Sequence, residues 1–212
     1  MFAGIRSFSF VDVPDFVSAV LFTQGCNMRC PWCHNHSIAY SDTKEQISIE
    51  YILKQAEFLR KRVDAICITG GEPTIHKELT AVIEHLKNTL KYYIKLDTNG
   101  TNPQMISELT HENLIDYCAL EIKAAPENYQ KLTGSPADFS RVLQTVDTLR
   151  KSSIEYELRM TYVPGLSSKH DIFFFKQLLE EKERAYITIA QSTDIYTVSP
   201  MKELIPKRFI LR

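Results

Sequence analysis

Residues 23–35 read TQGCNMRCPWCHN and place three cysteines, Cys26, Cys30 and Cys33, within eight residues. Iron–sulfur clusters are held by cysteine thiolates, and a Cys-x3-Cys-x2-Cys loop can bind three irons of a cubane cluster. The fourth iron would then have no protein ligand and would be open to a small molecule. The spacing therefore predicts a substrate-binding [4Fe–4S] cluster rather than an electron-transfer one.

The cysteine loop also allows a structural zinc site, in which His34 or His36 completes a Cys3His set. Both histidines lie very close in sequence to the thiols, which favours the cluster and leaves zinc as the alternative. Cys67 and Cys118 stand alone inside apolar runs, so we expect them to be small hydrophobic residues of the core. The uneven spacing of the five cysteines does not resemble a secreted disulfide framework.

The composition is that of an ordinary globular chain. Its 212 residues are 44% hydrophobic, with 25 Lys and Arg against 26 Asp and Glu, and this predicts a single domain over residues 1–212. There is no basic excess and no apolar run of about 20 residues, so neither nucleic acid nor a membrane is an expected partner. The first residues lack the layout of a signal peptide, which favours a cytoplasmic location.

Short apolar runs alternate with stretches of helical periodicity. The predicted strands cover 16–23, 65–69, 93–98, 117–122, 156–163 and 186–190. The predicted helices cover 48–62, 77–90, 103–110, 138–150 and 170–181. This alternation indicates βαβ crossovers and a parallel sheet, for which a partly open barrel and a doubly wound sheet both fit. Residues 192–212 have weak periodicity and receive no assignment.

Polar or glycine-rich segments follow the predicted strands. In a parallel α/β fold the loops after the carboxyl ends of the strands form the active face. These segments are residues 23–26, 69–73, 97–100, 121–123 and 163–165. We therefore expect them to meet at one edge of the sheet.

Several of these segments carry a family resemblance. The cysteine loop, with Trp32 before its third cysteine, resembles the signature of the radical S-adenosylmethionine (SAM) superfamily, and Gly-Gly-Glu-Pro at 70–73 resembles its SAM amino-group motif. Together with LDTNG at 96–100, EIK at 121–123 and VPGL at 163–166, they resemble glycyl-radical-enzyme activating enzymes, and most closely the anaerobic ribonucleoside-triphosphate reductase activating type. The resemblance implies a partial (β/α)6 open TIM-like barrel of the radical SAM type.

The same resemblance implies the chemistry. Cys26, Cys30 and Cys33 would be both the metal ligands and the catalytic residues, holding a [4Fe–4S] cluster that binds SAM at its open iron. One electron would split SAM into methionine and a 5′-deoxyadenosyl radical, which removes a Cα hydrogen from a glycine of the partner. The implied partners are a glycyl radical enzyme, such as anaerobic ribonucleotide reductase, and a flavodoxin or ferredoxin-type reductant.

The implied SAM site draws on the strand-end segments. Gly70 and Gly71 allow close backbone approach to the methionine part of SAM, and Glu72 can accept hydrogen bonds from its ammonium group. Residues 32–34 are implied to lie against adenine. The expected cofactor-binding residues are Trp32, Cys33, His34, Gly70, Gly71, Glu72, Asp97, Asn99, Glu121, Lys123 and Arg159.

A monovalent cation is a further implied cofactor. Asp97 and Thr98 resemble residues that bind such a cation in some activating enzymes, together with an aspartate of the fourth-strand motif. Glu121 stands in place of that aspartate, and its extra methylene changes the reach of the carboxylate. Lys123 is implied as the partner of the SAM carboxylate. Arg159 could do the same, or could be a barrel-lining charge that pairs with Glu121 or Glu157.

Residues 8–15, FSFVDVPD, resemble an Asp-x-Pro-Gly segment that helps activating enzymes to bind the glycine loop of their partner. Asp12 and Pro14 match, so Asp12 is the expected substrate-binding residue. Asp15 replaces the glycine, which changes the backbone conformations allowed there. Three alternatives stay open: a small-molecule radical SAM enzyme such as 7-carboxy-7-deazaguanine synthase, a zinc-binding module without catalysis, and a non-catalytic relative.

Overall fold

The computed structural model describes residues 1–41, 46–136, 138–200 and 209–211. One sheet runs in the order β1 to β8, and β1 is antiparallel to β2 whereas all later neighbours are parallel. The strands are β1 (Phe2–Ser9), β2 (Ser18–Thr23), β3 (Ala65–Gly70), β4 (Tyr93–Thr98), β5 (Tyr117–Glu121), β6 (Glu155–Tyr162), β7 (Ala185–Ile189) and β8 (Ile210–Leu211).

Helices connect the parallel strands and cover one face of the sheet. They are α1 (His36–Ala39), α2 (Ile49–Leu59), α3 (Leu79–Glu84), α4 (Pro103–His111), α5 (Pro126–Thr133), α6 (Phe139–Lys151) and α7 (Lys169–Leu178). A π-helical turn, His85–Thr89, extends α3, and Pro73–Ile75 form a 3-10 turn. Side chains cap several helices, as where Ser48 accepts a hydrogen bond from the Tyr51 amide. Among the described residues, no helix is long and apolar enough to cross a bilayer.

The predicted partial (β/α)6 open TIM-like barrel is confirmed. All six predicted strands and all five predicted helices are present, with shifts of a few residues at their ends. Strands β1 and β8 at the two edges of the sheet, and helices α1 and α5, were not predicted. Residues 192–200 form no helix or strand, and 201–208 and 212 lie outside the described residues.

The parallel strands separate an apolar layer from a polar lumen. On β4, Ile94 and Leu96 belong to the core under the helices, while Lys95 and Asp97, which alternate with them, point to the other side of the sheet. The hairpin between β1 and β2 packs at the amino end of the parallel strands, where Phe16 stacks on Tyr93 at a ring distance of 4.5 Å. The carboxyl end of the strands carries the loops with the expected site residues.

Candidate active site

One cavity lies at the carboxyl ends of the parallel strands. It gathers the three cysteines of the loop and every residue expected to bind the cofactors. The lining residues are Cys26, Cys30, Trp32, Cys33, His34, Gly70, Gly71, Glu72, Asp97, Asn99, Glu121, Lys123 and Arg159, with Met28, Asn35, Ala39, Thr69, Thr98 and Ala119 beside them. Four of the five predicted strand-end segments, 23–26, 69–73, 97–100 and 121–123, therefore meet, whereas none of residues 163–165 lines this cavity.

The cysteine loop is fixed against the glycine turn that follows β3. The Glu72 amide donates to the Gly25 carbonyl at 2.9 Å, and the Asn35 side-chain amide donates to the Gly70 carbonyl at 3.0 Å. The two backbones approach so closely that a Cβ on Gly71 would lie 1.8 Å from the Gly25 oxygen. Only glycine fits at position 71 without displacing the loop.

Helix α5 holds the other side of the cysteine loop. The Arg29 amide donates to the Thr133 carbonyl at 2.8 Å, and Trp32 Nε1 donates to the Leu132 carbonyl at 3.1 Å. Gly134 ends the helix with φ of +63°, and a Cβ there would lie 2.1 Å from the Arg29 oxygen. The loop is thus clamped between α5 and the glycine turn, with its three cysteines facing the cavity.

The thiols have the chemistry of ligands for a positively charged metal group. Burial raises the pKa of Cys26 to about 11 and also raises that of Cys30, while the Lys123 ammonium opposes both shifts. Thiolates here consequently need additional positive charge, which a bound metal would supply on displacing the thiol protons. Three free thiols on one clamped loop, all facing one cavity, fit a cluster with an open iron.

The zinc alternative gains no support from the geometry of His36. Its Nδ1 lies 3.2 Å from the Cys33 carbonyl oxygen, and its Nε2 lies 3.3 Å from an Asp194 carboxylate oxygen. Both ring nitrogens therefore face groups other than the thiols. Within the described ranges, no three His, Cys, Asp or Glu side chains converge as they would around a single metal ion.

Glu72 is buried, with 1% of its surface exposed. Its carboxylate accepts hydrogen bonds from the amide and hydroxyl of Thr74, the hydroxyl of Thr98 and the amide of Asn99, at 2.6–3.1 Å. Burial raises the pKa of Glu72, and these donors act against that shift. All four donors are neutral, so a cation placed in the cavity would stabilise the carboxylate.

The lumen beside the cavity contains a chain of ion pairs. Asp97 contacts Lys95 Nζ, and its other oxygen lies 3.6 Å from an Arg159 guanidinium nitrogen. Burial alone would raise the pKa of Asp97, but the two cations hold it below its usual value. Arg159 also pairs with Glu157. Arg159 is therefore paired with a carboxylate of β4, Asp97, and with one of its own strand, Glu157.

Glu121 and Lys123 line the cavity at the carboxyl end of β5. A carboxylate oxygen of Glu121 accepts from the amide and hydroxyl of Thr161 at 2.9 and 2.7 Å, and it lies 3.8 Å from Lys123 Nζ. The Lys123 ammonium lies 5.0 Å from the centre of the Trp32 ring. It is therefore a positive charge beside the ring of the cysteine loop, near enough to Cys26 and Cys30 to favour their thiolates.

The structure does not bring Asp12 to this cavity. Asp12 lies in the β1–β2 hairpin beyond the Ser9–Ser18 pair, at the opposite end of the strands, and accepts a hydrogen bond from Ser9. Asp15 has φ of +64°, a conformation that glycine adopts freely and aspartate tolerates better than most residues. Asp15 thus adopts a left-handed backbone conformation, which the glycine of the family segment would adopt without strain.

Sequence reasoning missed several polar residues that support the site. Tyr40 donates from its hydroxyl to the Cys30 carbonyl. Asn27 donates to Thr101 at 2.7 Å and accepts from Asn99 at 2.9 Å, which joins the cysteine loop to the loop after β4. The position of Asn27 between two cysteines was a usable signal, whereas nothing in the spacing distinguishes Tyr40 from a core tyrosine.

Comparison with known families agrees with this geometry. The family model of the Radical SAM superfamily matches residues 20–175. A protein of Methanocaldococcus jannaschii that carries the provisional name of glycyl-radical enzyme activating enzyme is 33% identical over 99% of this chain and 88% of its own length.

Two further comparisons cover less of the other protein. The 7-carboxy-7-deazaguanine synthase of Aquifex aeolicus is 39% identical over 40% of this chain and 36% of its own. The structure of Streptococcus suis SuiB bound to SAM is similar in fold, with a TM-score of 0.63 and 17% identity over 87% of this chain. This chain spans 45% of the SuiB chain.

Proposed function

Since the chain belongs to the radical SAM superfamily, we propose that it holds a [4Fe–4S] cluster on Cys26, Cys30 and Cys33 and uses SAM to install a glycyl radical in a partner enzyme. The observation that carries the cofactor assignment is that the three thiols and the Gly70–Gly71 turn line the same cavity. The full-length similarity to a relative named as an activating enzyme supports the choice of partner.

The residues of the cavity have distinct roles in this proposal. Glu72 attracts the ammonium group of SAM, and Gly71 leaves room for its methionine part. Lys123 attracts the SAM carboxylate, while residues 32–34 bind adenine. A reduced cluster held by Cys26, Cys30 and Cys33 would supply the one electron for cleavage of SAM to methionine, and transfer of a Cα hydrogen atom from a partner glycine to the 5′-deoxyadenosyl group would give 5′-deoxyadenosine and a glycyl radical.

The balanced charges of the lumen beside the cavity favour a peptide substrate over a charged small molecule. Lys95, Asp97, Glu157 and Arg159 already neutralise one another there. A charged metabolite would have to break these pairs, whereas a glycine backbone brings no net charge. We propose anaerobic ribonucleotide reductase as the partner class and a flavodoxin or ferredoxin-type protein as the reductant.

The test is anaerobic incubation of the reconstituted protein with SAM, dithionite and a candidate glycyl radical enzyme. We expect an electron paramagnetic resonance doublet from the remaining Cα proton, which collapses to a single line when the partner contains Cα-deuterated glycine. Cys30→Ala is the control that gives no radical. A chain that cleaves SAM but instead forms 7-carboxy-7-deazaguanine would contradict the activating role.

The ion pairs of Asp97 predict that no monovalent cation is required. Lys95 and Arg159 already balance the carboxylate that such a cation would use. We expect replacement of Na⁺ and K⁺ by choline to change the rate of SAM cleavage by less than about twofold, since constant ionic strength keeps screening constant. The measurement is 5′-deoxyadenosine formation in matched buffers, and a strict requirement for K⁺ or Na⁺ would contradict this prediction.

A further inference from the structure

Tyr129 is a buried tyrosine whose hydroxyl lacks a partner. It lies on α5, and only 2% of its surface is exposed. Its ring packs edge-on against the ring of Phe139, with the two ring centres 4.9 Å apart. Among the residues that the structure describes, nothing accepts or donates a hydrogen bond at its Oη. Buried tyrosine hydroxyls normally have a partner, because an unmet buried donor is costly.

Tyr129 lies on the helix that holds the cysteine loop. Tyr129 lies one helical turn before Leu132 and Thr133, whose carbonyls hold Trp32 and Arg29 on either side of Cys30. Tyr129 therefore lies within one turn of the carboxyl end of α5, where the helix carbonyls hold the cysteine loop.

The electrostatic surroundings agree with this placement. Burial raises the pKa of Tyr129 strongly, and the Cys30 thiolate, Glu121 and Glu72 raise it further, in that order. Tyr129 is therefore a neutral O–H donor near negatively charged groups of the cavity. Glu72 and Glu121 already accept hydrogen bonds from other residues, whereas the sulfur atoms at Cys30 would gain negative charge when a cluster is reduced.

We propose that Tyr129 donates a hydrogen bond from Oη to a sulfur atom at the Cys30 corner of the cluster and thereby raises its reduction potential. The inference rests on the proposed [4Fe–4S] site. A donated hydrogen bond stabilises the reduced, more negative cluster more than the oxidised one, so it eases the electron uptake that SAM cleavage requires. Tyr129 is a tuning residue for the cluster.

The experiment compares Tyr129→Phe with Tyr92→Phe in the reconstituted protein. Tyr92 is equally buried, but its hydroxyl donates to the Ala56 carbonyl at 2.7 Å, and neither residue lines the cavity. In a redox titration followed by electron paramagnetic resonance, we expect Tyr129→Phe to lower the equilibrium constant for reduction about tenfold, or about 59 mV for one electron. We expect Tyr92→Phe to leave the potential unchanged and to lower the thermal stability of the apoprotein instead.

A second variant covers the case in which Tyr129→Phe fails to assemble a cluster. 3-Fluorotyrosine at position 129 is nearly isosteric and is a stronger donor, so the potential should rise rather than fall. A wild-type potential in the variants that assemble a cluster would overturn this inference and leave the proposed function intact. Failure of the wild-type protein to bind any cluster would overturn both.

Discussion

Cys30→Ala is expected to remove the brown colour of the reconstituted protein and to reduce 5′-deoxyadenosine formation with dithionite to background. Cys30 is the middle ligand of the clamped loop and is 7% exposed. Two thiolates rarely retain a cubane cluster. Mutation of groups that only support the ligands lowers the metal affinity or activity of a site by about 10–100-fold. Removal of a ligand should therefore lower the rate of 5′-deoxyadenosine formation on the order of 100-fold or more.

Cys118→Ala is the matched control for this substitution. Cys118 is fully buried on β5 within the apolar core. Its replacement by alanine removes the same thiol group at a position outside the cysteine loop. We expect this variant to keep its iron and its activity, at a cost of about 1 kcal/mol in the free energy of unfolding. Iron content and product formation in Cys30→Ala equal to those of Cys118→Ala would contradict the ligand assignment.

The parallel part of the fold was predictable because its strands are buried on both faces. Runs such as residues 65–70 of β3 are mostly apolar, and the residues at and after their carboxyl ends line the cavity. The resemblance to radical SAM enzymes then selected the open barrel over the doubly wound sheet. The edge strand β1 was not predicted, because much of it is exposed or half-buried and it therefore lacks a continuous apolar run. Arg6 and Ser7 lie on its surface.

The clamp on the cysteine loop was less predictable, since it depends on contacts between distant segments. Helix α5 is short and mostly polar, and its role appears only when the carbonyls of Leu132 and Thr133 reach Trp32 and Arg29. Hydrophobic periodicity does not predict such backbone contacts between distant segments. The ion pairs of Asp97 are a similar case, because Arg159 approaches it only when β6 joins the sheet.

Gly71→Ala is the second substitution with a large expected effect. The added Cβ would lie 1.8 Å from the Gly25 oxygen and 2.7 Å from its carbonyl carbon. Both atoms are backbone, so the clash can be relieved only by moving the cysteine loop away from the glycine turn. The movement would break the hydrogen bond from the Glu72 amide to Gly25 and displace Cys26, the next residue.

The displacement should weaken SAM binding by at least about tenfold, or about 1.4 kcal/mol, and lower the iron content of the reconstituted protein. Gly4→Ala is the matched control, because a Cβ on Gly4 meets no atom within 4 Å. Equilibrium dialysis with labelled SAM and an iron assay on both variants make the measurement. Gly71→Ala with the SAM affinity and iron content of Gly4→Ala would show that close backbone contact at position 71 is not needed, and the glycine turn would then lose its place in the proposed site.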